Sequence, residues 1–180
     1  GIGLVPEDRQ RDGLVQLMTV GQNLSLASLL SSVRRGFVSK RAERQGIDEQ
    51  IADVRVKTAG PNALITSLSG GNQQKVCLGK WLFVKPDLLI LDEPTRGIDV
   101  GAKFEIYTII TQLVQQGMSI IMISSELPEV LGMSDRIYVM NEGRIVGEMS
   151  GAEASQEAVM RCIMSSYEQG ENGEPMEVAS

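Results

Sequence analysis

Histidine is missing from this 180-residue sequence, and cysteine occurs twice. The first absence removes the commonest general base near neutrality and the commonest metal ligand. Cys77 and Cys162 are far apart in helix-like segments, which fits reduced, buried thiols better than a disulfide framework or a metal site. Positive charge is also short: 17 Lys and Arg against 23 Asp and Glu leave a formal charge of −6. Nucleic-acid binders carry a clustered positive field, so no nucleic-acid partner is expected. Long apolar runs are lacking too. The densest, 88–91 and 120–123, fall far short of the roughly 20 residues that cross a bilayer, and Gly1 opens no secretory pattern. The chain reads as soluble and cytosolic.

What is present is 42% hydrophobic and 22% charged, ordinary for one globular domain. Glu168, Glu171, Glu174 and Glu177 stand in a tail without Lys or Arg, so residues 166–180 read as an acidic, disordered end and the folded part is nearly neutral. Residues 1–5 are apolar and run into Pro6, a strand entering a loop. Polar Thr19 precedes Leu24, Leu26, Leu29 and Leu30, and 48–57 repeats a short helical pattern, with a basic connection between. Ser69 opens a helix through Val84, stopped before Pro86. The pattern then changes to a buried strand at 87–91, a helix at 100–116 with Ile106, Ile109, Ile110, Leu113 and Val114 on one face, and a second strand at 118–123. This is a βαβ unit of an α/β core. Asn141-Glu142-Gly143 reads as a hairpin turn with Gly143 at positive φ, and 155–164 as a closing helix.

Two motifs carry chemistry. Leu89-Ile90-Leu91-Asp92-Glu93-Pro94 puts two carboxylates at the C-terminal end of a buried strand, where open α/β sheets present ligands. Asp92 suits a magnesium ion, and Glu93 a water attacking a terminal phosphate. Alone, the pair could equally be an acidic loop. Upstream, Leu68-Ser69-Gly70-Gly71-Asn72-Gln73-Gln74-Lys75 opens a helix with paired glycines, a hydroxyl donor and the positive end of the helix dipole, a cap suited to phosphate. A plain N-cap is the bland alternative.

Taken in order, Leu68-Ser69-Gly70-Gly71, Leu91-Asp92-Glu93-Pro94, Gly97-Ile98-Asp99 and Ile123-Ser124-Ser125-Glu126 resemble the signature motif, Walker B, D-loop and H-loop region of ABC ATPases. Within that superfamily, the stretches 72–75, 94–103 and 124–129 are similar to ATP-binding subunits of bacterial simple-sugar importers of the ribose, xylose and galactose type. The resemblance covers residues 1–165. It implies the P-loop NTPase-like ABC core of α/β class, with a helical subdomain at about 14–84 and the α/β core at 1–13 and 85–165. Val5-Pro6-Glu7-Asp8-Arg9 resembles the second of two ATPase domains in one polypeptide, of which the first domain and the start of the second, with its phosphate loop, would be missing.

The resemblance also implies head-to-tail pairing of ATPase domains, with ATP and Mg²⁺ as cofactors. Ser69, Gly70, Gly71 and Asn72 would then face ATP held by the partner ATPase domain. Asp92 would serve magnesium and Glu93 the attacking water on their own side, and Asp99 would lie between the two sites. Membrane permease subunits, and indirectly a sugar-binding protein, would be the other partners, at the cytoplasmic face of the bacterial plasma membrane. Their docking surface would include residues 7–13 and the helices of 19–57. Asp12 and Arg35 would be informative crosslinking positions there, although Arg34, Arg35, Lys40, Arg41 and Arg44 are more simply a solvated helix face.

Three departures stand out. No G-x-x-x-x-G-K-[ST] sequence occurs, so the chain alone lacks the loop that cradles phosphates and should leave apolar sheet surface bare. Glu7 stands where the family usually has the Q-loop glutamine, and its charge could either hold metal or repel phosphate. Ser125 replaces the expected switch histidine, with a shorter reach and no titration near neutrality. The expectation is a slow or silent Glu93 site beside a serviceable signature helix. Two rivals remain: a soluble ABC ATPase acting on nucleic acid or ribosomes, which would need a basic surface, and a non-catalytic interaction module.

Overall fold

A computed structural model describes residues 1–28, 33–34, 37–38 and 40–172. Arg35 and the end of the acidic tail, 173–180, lie outside the described residues. The chain folds as two compact units, Gly1–Ser124 and Ser125–Ser180.

The first unit begins with strand β1 (Ile2–Val5). A single π turn follows at Arg9–Gly13, started by Asp8, whose carboxylate accepts from the N–H groups of Gln10 and Arg11. Helix α1 (Val20–Ser25) opens with a reciprocal capping box. Gln22 N–H donates to Thr19 Oγ1 at 3.3 Å, and Thr19 N–H to Gln22 Oε1 at 2.9 Å, satisfying two end donors at once. Asn23, fully buried on α1, bonds the backbone of Val15 and Thr19 with both ends of its amide. Its polarity is thereby used rather than stranded. The short strands β2 (Val33–Arg34) and β3 (Phe37–Val38) pair antiparallel. Helix α2 then runs Lys40–Asp53. It starts eight residues before the expected 48–57 pattern, because 40–47 contains no breaker stronger than Gly46 and that costs a helix only about 1 kcal/mol.

Helix α3 (Gly70–Leu82) is buried along most of its length and ends near Lys85, which takes φ 51° before Pro86. Strand β4 (Leu88–Asp92), helix α4 (Val100–Gln115) and strand β5 (Ser119–Ile123) form the expected βαβ unit. Gly117 at φ 91° releases the chain from α4. The sheet is parallel in the order β1-β4-β5, with Val5 beside Leu91 and Asp92 beside Ile123.

Side chains on a strand alternate between faces. Val5, Leu89 and Leu91 point into a core shared with Leu78 of α3 and Ile106 and Ile110 of α4. The opposite face carries Ile2 (68% exposed), Leu4 (47%), Ile121 (49%) and Ile123 (50%), the bare apolar surface expected from the sequence. Parallel sheets are ordinarily covered on both faces.

The second unit consists of helix α5 (Leu127–Met133), strands β6 (Arg136–Asn141) and β7 (Arg144–Ser150), and helix α6 (Gln156–Asn172). Glu142 at φ 49° and Gly143 at φ 76° make the two-residue turn between the strands, matching their twist as a type I′ turn does. Helix α6 lies on this hairpin through Gly147, where an added Cβ would sit 2.7 Å from Cys162 Sγ. The helix corrects the expected stop at Met164 and the disordered reading of 166–172: Ser166, Tyr167, Glu168 and Gln169 are tolerable helix residues, and Gly170 alone does not end a packed helix. Among the described residues no helix is long and apolar enough to cross a membrane.

Candidate functional site

The parallel register decides which residues meet. Because Val5 lies beside Leu91, Glu7 leaves β1 alongside Asp92 and Glu93 leaving β4, and all three gather at the C-terminal edge of one sheet. Asp92 and Glu93 are half-buried and Glu7 is exposed. Glu93 takes φ 46°, a left-handed conformation that costs a side chain of its size roughly 1–2 kcal/mol. Backbone bonds hold it there: its N–H donates to Ile123 O at 2.9 Å, and its carbonyl accepts from Arg96 N–H at 3.1 Å. The sequence gives no sign of this strain, which aims Glu93 away from the line of β4.

Arg96 pairs with the Glu7 carboxylate. The charge of Glu7 is thus balanced by a guanidinium from the loop after β4. Arg9 completes the junction. Its Nη1 donates to Arg96 O at 3.0 Å, and its Nη2 lies 2.8 Å from where a Cβ on Gly70 would be. One arginine therefore touches the glycine-rich start of α3 and the loop after β4.

Ser69 precedes α3 in an extended conformation, exposed, and its side chain does not cap the helix. The hydroxyl accepts instead from Asn72 Nδ2 at 2.9 Å, while Asn72 Oδ1 accepts from Lys57 N–H at 2.8 Å. Asn72 thus spends a donor and an acceptor inside the protein. Gly71 is buried where α3 passes α4, and a Cβ there would meet Ala102 Cβ at 2.4 Å. Only glycine permits that approach. Asp99 caps α4, with Oδ1 accepting from Ala102 N–H at 2.9 Å. The starts of α3 and α4 therefore lie side by side. Ser125 is exposed at the head of the second unit, in a different unit from Asp92 and Glu93.

Both thiols are free, Cys77 buried as expected and Cys162 only half-buried. Cys77 is fully buried, and burial pushes its thiol up to about 11 against the opposing pull of Lys80 and Arg9. Arg9, Arg96, Lys57, Lys75 and Glu105 were not singled out from the sequence. For Lys75 a signal existed: it falls four residues after Gly71 and three before Leu78, on the helix face that is buried. For Arg9 and Arg96 there was none.

A three-stranded parallel sheet with α3 and α4 on one face, three acids at its C-terminal edge and a glycine-rich helix start nearby make up the α/β core of an ATP-binding-cassette protein. Two solved structures of the cassette MJ0796 share the fold. Its dimer in a post-hydrolysis state bound to ADP and Pi gives a TM-score of 0.71 at 23% identity, covering 83% of this chain and 62% of that one. A second dimeric structure gives 0.70 at 24%, with the same coverage. The family model described as ABC transporter matches residues 1–96, and the chain belongs to that family. It is 53% identical over 165 residues to the xylose import ATP-binding protein XylG of Photobacterium profundum, covering 92% of this chain and 32% of that protein. Over 161 residues it is 53% identical to the putative ribose/galactose/methyl galactoside import ATP-binding protein 1 of Rhizobium etli, with coverages of 89% and 31%. Over 167 residues it is 50% identical to the ribose import ATP-binding protein RbsA 2 of Streptomyces coelicolor, with coverages of 93% and 32%. The chain spans about a third of the length of these relatives.

Proposed function

We propose that this chain serves ATP-driven monosaccharide import by contributing half of the groups at a composite ATP site. The supporting observation is the Arg9 junction, which brings the Ser69-Gly70-Gly71 helix start and the Asp92–Asp99 loop to one edge of the sheet. Free N–H groups at the start of α3, with the helix dipole behind them, suit the terminal phosphate of ATP whose phosphate loop belongs to a partner ATPase domain. Ser69 adds a hydroxyl. Its oxygen already accepts from Asn72, which leaves its hydrogen to be donated outward. Asp99 adjoins this cap and links it to the acids of its own side.

Asp92 offers one carboxylate at the end of a rigid strand, which fits a magnesium ion that takes its other ligands from phosphates and water. When bound, that ion would neutralise phosphate charge. Glu93, held forward by its backbone, would orient or deprotonate the attacking water. Glu7 balanced by Arg96, and Ser125 in place of histidine, favour a Glu93 site of low turnover. Membrane permease subunits would take up the motion at the cytoplasmic face of the plasma membrane, and a separate sugar-binding protein would choose the sugar.

The test mixes the chain with a sugar-importer cassette that carries a phosphate loop, and measures association in MgATP and in MgADP. Association that depends on MgATP and is lost in Ser69→Ala supports the reading. Association indifferent to nucleotide would instead favour the interaction-module alternative. The chain alone should bind ATP no tighter than millimolar. In the intact ATPase, Glu93→Gln is expected to leave sugar uptake largely in place, and collapse of uptake would overturn the low-turnover assignment.

A further inference from the structure

Lys75 is a buried cation without a role in the site described above. Its side chain is 1% exposed, and its ammonium donates to Arg55 O at 2.9 Å and to the carboxylate of Glu105 on α4. The other oxygen of Glu105 accepts from Lys57 Nζ at 3.0 Å. Lys57 in turn donates its backbone N–H to Asn72, and Asn72 donates to Ser69 Oγ. The carboxylate is thus shared between α3 and the segment after α2, and a short path of bonds leads from it to the Ser69 hydroxyl.

We propose that Glu105 is a positioning residue that fixes the start of α3 against the start of α4, and through Lys57 and Asn72 fixes the hydroxyl of Ser69. The inference rests on the reading that Ser69-Gly70-Gly71 faces a nucleotide phosphate. A charge at position 75 is a poor way to fill a core. A methionine or leucine would pack there without the cost of desolvating an ammonium, which a half-exposed partner such as Glu105 offsets only in part. Such a pair supplies a definite geometry. Gly71 against Ala102 lets the two helices touch but leaves them free to slide. One turn on, Glu105 bonded to two lysines from different segments stops the sliding, since any shift of either helix breaks a bond. The two helix starts that meet the nucleotide are thereby kept at one spacing.

The experiment uses the whole chain in two measurements. The first is amide hydrogen exchange at residues 73–74, whose N–H groups are the first of α3 to be bonded and so report the geometry of its start without nucleotide. The second is MgATP-dependent association with a phosphate-loop cassette, which reports function. Glu105→Gln is expected to speed exchange at 73–74 and to weaken association by about tenfold. Because Glu105→Gln could act by destabilising the fold, the apolar pair K75M/E105M provides the control. It should restore the thermal midpoint and leave exchange fast and association weak. If the apolar pair restores association as well, or if exchange at 73–74 is unchanged in Glu105→Gln, the positioning role is overturned. If Ser69→Ala weakens association and Glu105→Gln does not, the positioning role alone fails. If Ser69→Ala has no effect, the nucleotide reading fails and takes this inference with it.

Discussion

Lys85 and Glu93 share a left-handed backbone for different reasons. Lys85 is an exposed residue that merely lets the chain turn out of α3. Lys85→Gly should therefore raise stability by about 1 kcal/mol, read as a higher urea midpoint with unchanged m-value. At Glu93 the strain sits on a residue proposed to meet water and phosphate, as strain often does at functional sites. Gly71 is the opposite case, where a single added methyl meets Ala102 head on. Gly71→Ala should cost about 1–3 kcal/mol by overpacking, and Ala102→Gly in the same chain should recover most of it. If urea melts show the two changes adding independently, the close approach of α3 and α4 is wrong. These residues divide cleanly in how visible they were beforehand. Ser69, Gly70, Gly71, Asp92 and Asp99 stand in contiguous motifs whose spacing carries meaning. Arg9 finds its partner 87 positions away, and no local pattern encodes that distance.

At the level of elements, β4, α4 and β5 were legible because continuous apolar runs flanking a 3.6-residue stripe have few other readings. The π turn at Arg9–Gly13, the early start of α2 and the length of α6 were not, since each depends on packing or capping that overrides weak propensity. The linkage between α3 and α4 has a pH signature. Hydrogen bonds from Lys75 first, and Lys57 second, hold the Glu105 carboxyl below the ordinary glutamate range. The unfolded chain then binds the proton more readily, so this contribution is complete above the unfolded value and is lost as pH falls through the lowered folded one. Urea midpoints taken from about pH 6 down to about pH 3 should fall less steeply in Glu105→Gln than in the parent chain. Equal slopes would mean the carboxylate is not paired in solution.

For the molecule as a whole, the face of the sheet bearing Ile2, Leu4, Ile121 and Ile123 is the feature with the largest consequence for handling. Contiguous apolar surface of this kind drives association. Sedimentation should show self-association that rises with concentration. Ile121→Lys with Ile123→Lys should suppress it without lowering the thermal midpoint, and a monomer at all concentrations in the parent chain would contradict the exposure of that face.

The order of the strands also sets a timetable for the ribosome. Strand β1 finds its neighbour only when Leu88–Asp92 has been made, and at roughly 5–20 residues per second that is a wait of several seconds. During that interval the edge of β1 that Leu88–Asp92 will cover has no partner from this part of the chain, so that ladder closes only after β4 clears the exit tunnel.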